Sequence, residues 1–216
     1  MTAAIALADE GGPAALTMHA VAGQLGSYTA MALYRYVHSK DGLVDLMLDA
    51  VTAEVEVPAG PGPDWRTDLR DLAARTREMT RRHRWYPVLF HTRPPAGPNL
   101  MRRLEFMLRV LTGQGASVAD AMTYAALIDR HILGSGLQEA EEAEMSRRHG
   151  LDDPAALAAA LAAMRDLAAA TGQHPLLTEW LAHPAGSPAG EQFELGLGFL
   201  LDGIAGRLPG PPGPPG

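Results

Sequence analysis

Apolar residues recur along this chain at intervals of three and four, and no segment alternates strictly between apolar and polar positions. The pattern predicts helices and no strands. Residues 3–10 read as a short helix ended by Gly11, Gly12 and Pro13. Thr17 is placed to cap a second helix, because its hydroxyl can accept from the free backbone N–H groups of a first turn. Met18, Val21, Ala22 and Leu25 then share one face, and Gly26 closes the helix, since glycine takes a left-handed cap conformation without steric cost. Thr29 caps a third helix, in which Met31, Leu33 and Val37 offer apolar contacts while Tyr34, Arg35, Tyr36 and His38 occupy the other faces. Ser39 caps a fourth from Lys40 to about Val55, striped by Leu43, Leu46, Met47, Ala50 and Val51.

Pro58 to Pro63 (PAGPGP) cannot be helical and marks the clearest boundary. Beyond it Asp64 caps a helix from Trp65 to about Arg84, with Leu69, Leu72, Ala73, Thr76 and Met79 along one side. The basic run Arg81, Arg82, His83 and Arg84 suits the negative end of that helix. An aromatic segment, Trp85 to His91, and a Pro/Gly loop follow, then a helix from Asn99 to Leu111 with Leu104, Met107, Leu108 and Leu111 apolar. Ser117 and Asp120 resemble a capping box for a long helix to about Ala140. Asp153-Pro154 starts an alanine-rich helix, residues 175–182 make a brief one, and residues 191–208 the last. The expected domains are 1–56, a linker at 57–63, a helical domain at 64–208, and an extended Pro/Gly tail at 209–216.

Helix, glycine turn, helix over Leu16 to Lys40 is how a DNA-binding helix-turn-helix is built, its second helix entering the major groove. Here a resemblance becomes specific. ALYRYVHSKDGL, Ala32 to Leu43, resembles the hallmark segment of the tetracycline-repressor (TetR) family of bacterial transcription regulators. LTMHAVAGQLG, Leu16 to Gly26, is similar to that family's first helix-turn-helix helix, and FELGLGFLLDGIAGRL, Phe193 to Leu208, to its last helix. The resemblance implies an all-α protein: an N-terminal helix-turn-helix DNA-binding domain, then a helical ligand-binding and dimerisation domain. It implies a homodimer that binds a palindromic operator and releases it on binding a small molecule. Two departures stand out. The first helix is shorter than is usual in the family, so part of it either precedes residue 1 or is absent. The turn between Gly26 and Ala32 is one residue longer than the family's commonest spacing, which puts Ser27 and Tyr28 at its tip.

Carried onto this sequence, the resemblance makes Tyr34 and Lys40 phosphate contacts, and a hydroxyl and an ammonium are suitable positioning donors. Thr17, Thr29, Arg35 and Tyr36 match further DNA-facing positions, and Ser27, Tyr28, Met31 and Ala32 complete the candidate set. Arg35 can pair with guanine O6 and N7, or contact only phosphate or solvent. For a ligand, Trp85, Tyr86, Phe90, His91, Phe106, Met107, Met122 and His131 supply the mix that pockets use, although aromatic and methionine residues at helical spacing also build ordinary cores. Dimerisation is expected on helices 118–137 and 191–208. Glycines 134, 136, 196, 198 and 203 cost a helix about 1 kcal/mol each relative to alanine, and either permit close helix approach or are tolerated kinks.

Composition changes this picture in two ways. With 47% hydrophobic and 20% charged residues and no cysteine, the chain reads as a globular protein of a reducing cytoplasm without thiol chemistry. Its start lacks the basic-then-apolar pattern of a signal peptide, and no apolar run reaches membrane-spanning length. The net charge of −7 runs against nucleic acid, since phosphate contacts carry much of the affinity. Residues 1–48 hold Arg35 and Lys40 against Asp9, Glu10, Asp41 and Asp45. Helix N-termini can bind phosphate without side-chain charge, which softens the objection. The scattered histidines form no metal-binding pair, and Gly134-Ser135-Gly136 is no nucleophile elbow, so no catalytic, metal or cofactor site is expected. The expected function is a ligand-responsive repressor that is not an enzyme. The alternative is a helical ligand-binding dimer that has lost DNA binding.

Overall fold

The structure is a computed structural model that describes residues 1–26, 28–90, 97–150, 153–183 and 189–209, with every side chain among them but that of Arg147. These residues form eleven helices and no strand. They are α1 (Thr2–Ala15), α2 (Met18–Leu25), α3 (Ala30–Val37), α4 (Lys40–Thr52), α5 (Trp65–Arg82), α6 (Trp85–Phe90), α7 (Pro98–Thr112), α8 (Val118–His149), α9 (Pro154–Ala170), α10 (Pro175–Ala182) and α11 (Ala189–Ala205). The chain divides into two compact units, residues 1–137 with 195–216, and residues 138–194. In the smaller unit α9 packs along α10, with Ala168 and Leu181 buried.

The caps read from the sequence form as expected. The hydroxyls of Thr17, Thr29 and Ser39 accept from the backbone N–H groups of Ala20, Ala32 and Gly42 at 3.1, 3.2 and 2.9 Å. Gly26 ends α2 with φ of 69°. Several boundaries differ. The first helix runs on to Ala15 because Gly12 bends it (φ 69°) and Pro13 then starts a further turn, where a missing N–H costs nothing. The fourth ends at Thr52, three residues early. Trp85–Phe90 is a short helix of its own, because α5 stops at Arg82 and His83 leaves helical geometry (φ −112°, ψ 71°). The long helix α8 continues past Ala140 to His149, with Gln138–Glu142 and Arg148–Glu144 bonds one turn apart supporting it. The last helix spans 189–205 rather than 191–208. Residues 210–216 of the expected tail lie outside the described residues.

α4 is the centre of the larger unit. It packs against α3, α5, α6 and α7, and Leu43, Val44, Met47, Leu48 and Val51 are all buried, whereas Leu46 of the expected stripe is exposed. One of its polar residues reaches the start of α7. α7 begins at Gly97 without a side-chain cap of its own. Asp49 of α4 supplies one: its Oδ1 accepts from the backbone N–H groups of Asn99 (2.9 Å) and Leu100 (3.2 Å), and its Oδ2 from the Asn99 side chain (2.8 Å). A Cβ at residue 97 would collide with that carboxylate, so glycine is needed there for room rather than for backbone freedom.

Asp49→Ala should therefore lower the thermal midpoint, with a loss near the usual ~1 kcal/mol for a helix cap, while Asp49→Asn should keep part of it. Circular dichroism melts of the three proteins would measure this, and an unchanged midpoint for Asp49→Ala would refute the capping role.

Candidate DNA-binding surface and effector cavity

α3 buries none of its residues fully. Ala30, Leu33 and Val37 turn partly inward, and at about 100° per residue the opposite side is centred on Met31 and Arg35, flanked by Ala32 and Tyr36 on one side and by Tyr34 on the other. Met31, which the spacing offered for apolar contacts and the resemblance for DNA, is 75% exposed, and Tyr36 is 74% exposed. The reason is phase: the inward arc of so short a helix is already filled by Leu33 and Val37. Tyr28, Thr29, Tyr34 and Arg35 are exposed on the same element or its approach, as are Thr17 at the head of α2 and Lys40 at the head of α4. Ser27 lies outside the described residues. Three helix N-termini and seven exposed polar or aromatic side chains thus share the N-terminal domain.

The ligand candidates do not gather in one place. Tyr86 and Phe90 line a narrow cavity together with Thr52, Thr76, Met79, Leu100, Arg103, Asp129, Ile132 and Leu133. Its free space is about that of one water molecule. Trp85 is elsewhere, fully buried, with its indole N–H donating to Asp9 of α1 at 2.6 Å. Met107 is fully buried core, and Phe106 faces a groove beside the Val57–Ala59 linker. Met122 lies exposed on α8. His131 packs against Gly196 of α11, where a Cβ would come within 2.6 Å of its ring. His91 lies outside the described residues.

Polar residues that the periodicity did not single out build the cavity's chemistry. Arg103 occupies a core position of α7, only 4% exposed, in a stripe with Phe106, Met107, Val110 and Leu111; the stripe is thus rotated from the Leu104, Leu108 face expected. The pairing explains why a charge sits there. Arg103 Nη2 donates to Asp129 Oδ1 at 2.7 Å and its Nε to Thr76 Oγ1 at 3.1 Å. Burial works against the guanidinium charge, but the Asp129 carboxylate more than offsets it, so Arg103 holds its proton more firmly than a free arginine. Thr52, at the end of α4, gives its hydroxyl proton to the Leu48 carbonyl (2.8 Å), which leaves the Tyr86 phenol as donor in the 3.0 Å bond between them. Burial raises the pKa of that phenol.

The basic run at the end of α5 also makes ion pairs that the sequence did not reveal. His83, 7% exposed, puts Nδ1 2.8 Å from Asp9 Oδ1 and Nε2 3.2 Å from Glu54 Oε1, and Arg82 reaches Glu54 Oε2 at 2.9 Å. His83 and Arg82 thereby tie α1 and the segment after α4 to α5, while Arg81 and Arg82 lie in the last turn of that helix, as expected. Among the described residues no group of His, Asp and Glu could hold a metal ion, and no helix is long and apolar enough to cross a membrane.

A helix-turn-helix with an exposed second helix, joined to a helical domain with a small internal cavity, defines a one-component DNA-binding regulator. Residues 57–208 match the family described as "Tetracyclin repressor-like, C-terminal domain". The chain is 34% identical over 203 residues to the HTH-type transcriptional repressor DrrR1 of Streptomyces coeruleorubidus, covering 94% of this chain and 74% of that one. It is also 34% identical over 213 residues to an HTH-type transcriptional regulator of Saccharopolyspora erythraea, covering 95% and 82%. Among solved structures, ActR of Streptomyces coelicolor in complex with actinorhodin superposes with a TM-score of 0.76 at 26% identity, over 95% of this chain and 94% of that one. The protein belongs to the tetracycline-repressor family of DNA-binding transcription regulators.

The buried phenol makes a pH prediction. Because the Tyr86 pKa is raised on folding, the folded chain binds more protons than the unfolded one above about pH 10, and stability falls as pH rises from there. Phenolate absorbance in an alkaline titration should show one tyrosine of the five ionising late. Tyr86→Phe should abolish that late step; its persistence would mean that Tyr86 is not sealed from water.

Proposed function

We propose that the protein is a repressor that binds a palindromic operator as a homodimer and releases it when a small molecule enters the Tyr86–Arg103 cavity. Residues 1–56 form the DNA-binding domain and 64–208 the effector and dimer domain, joined by the 57–63 linker; the site of action is the cytoplasm. Arg35, Met31, Ala32 and Tyr36 face the major groove, while Thr17, Tyr28, Thr29, Tyr34 and Lys40 hold the backbone. The observation that carries the reading is the span of α4: Lys40 at one end lies next to the recognition helix, and Thr52 at the other is bonded to a cavity-lining tyrosine. A ligand contacting Tyr86 or Arg103 competes for that bond and shifts α4 by its differential affinity for the two states. A solved relative with a bound small molecule supports an effector site in this fold.

An exposed apolar strip supports the dimer. Phe199 and Leu195 of α11 are 67% and 56% exposed, Val118, Met122 and Leu127 of α8 are exposed too, and nothing lies within 4 Å of a Cβ built at glycines 134, 198 and 203. Small and apolar surfaces of this kind allow close helix approach between copies. Phe199→Glu should convert the dimer to monomer in sedimentation and abolish operator binding, with helicity unchanged; a dimer that survives would place the interface elsewhere.

The test of DNA binding is selection from a random pool, repeated with Tyr34→Ala and Lys40→Ala. One palindrome should be enriched, and lost or greatly weakened in both variants. The sparse positive charge of the N-terminal domain favours the second reading, a ligand-binding dimer without DNA affinity, and a folded dimer that enriches nothing would establish it. If the operator is found, the two cations in residues 1–56 of each protomer imply a shallow salt dependence, a log–log slope no steeper than about −4, and Lys40→Ala should flatten it by about two for the dimer. Effector and operator must also weaken each other reciprocally.

A further inference from the structure

We propose that Met31 reads the C5-methyl group of a thymine lying within two base pairs of the guanine taken by Arg35, so that Met31 determines specificity in each operator half-site. The inference rests on the DNA-binding reading above and names what its central contact recognises.

Three observations converge on this residue. Met31 is the most exposed large apolar side chain of the N-terminal domain, at 75%, on a helix whose inward arc it does not share. A flexible thioether side chain left in water contributes nothing to the fold, and it suits a contact formed with an irregular apolar surface. It also stands one helical turn before Arg35 on the same face. Four residues of helix rise about 6 Å, against about 3.4 Å per base pair, so the two side chains meet bases no more than two steps apart. In the major groove the thymine methyl is the one apolar feature that distinguishes a base pair, and guanine O6 and N7 are the pair of acceptors that a guanidinium fits. The neighbours are less suited: Ala32 is half-buried, and Tyr36 lies about 100° round the helix from Arg35, towards the flank.

Charge adds weight to the assignment. With Arg35 and Lys40 as the only cations of residues 1–56, phosphate neutralisation supplies less of the affinity than in a basic DNA-binding domain. Base-edge contacts, apolar ones included, must then supply more.

The experiment uses the full-length dimer and its selected operator. Each thymine of a half-site is replaced in turn by deoxyuridine, which pairs identically and lacks only the methyl. One position should cost wild type about fourfold in affinity per half-site. Met31→Ala should bind the thymine operator more weakly and lose nothing further on deoxyuridine, whereas Met31→Leu should retain the discrimination. Circular dichroism should be the same for all three, since the side chain makes no core contact. An operator indifferent to deoxyuridine at every position, or equal discrimination by Met31→Ala, overturns the assignment while leaving the DNA-binding reading intact. A pool that yields no operator overturns that reading, and this inference with it.

Discussion

Everything on the DNA-facing side of this molecule depends on where α4 is held, and α4 is held by hydrogen bonds at its C-terminal end. Asp49 caps α7, and Thr52 receives the phenol proton of Tyr86. Apolar burial by Met47, Leu48 and Val51 supplies most of the adhesion, but burial alone is non-directional. The directional bonds fix the register of α4 against α6 and α7. α3 packs onto both α2 and α4, so the polar contacts of α4 help to set the position of its exposed face. The same end of α4 carries on to Glu54, which shares His83 with Asp9 of α1, so both flanking helices of the N-terminal domain are anchored to one corner of the body.

The core of that body is not purely apolar. A single Arg103–Asp129 pair lies beside Thr76 and Tyr86 in a cavity too small for anything but water. Removing one partner of such a pair commonly costs ~3–5 kcal/mol, whereas exchanging both for well-packed apolar residues is often neutral. The pair is therefore poor evidence for stability, and the end of α4, through Thr52, forms part of the same cavity wall.

The helix-turn-helix was legible because its signals are local. Thr17, Gly26, Thr29 and Ser39 each act within three residues of themselves, and each cap formed as expected. What escaped were contacts between residues distant in sequence. Nothing near Asp49 reveals that it serves the start of α7, fifty residues later. Arg103 was not singled out because its partner Asp129 is on another helix, and it lies in the buried stripe of α7. The same limitation scattered the ligand candidates: Trp85 reads as a pocket residue until the Asp9 carboxylate is placed on its indole N–H, and His131 until Gly196 is found against its ring.

α3 holds to its neighbours through the partly buried Ala30, Leu33 and Val37, while the face around Met31 and Arg35 is exposed. Substitutions on its outer face leave the packing of α2 and α4 untouched, so changes there are nearly invisible to selection for folding. Sequence on that face is free to drift under selection for operator choice alone. A duplicated copy of this regulator could acquire a new binding site through a handful of surface changes, with no compensating repair of its core and no loss of its effector response.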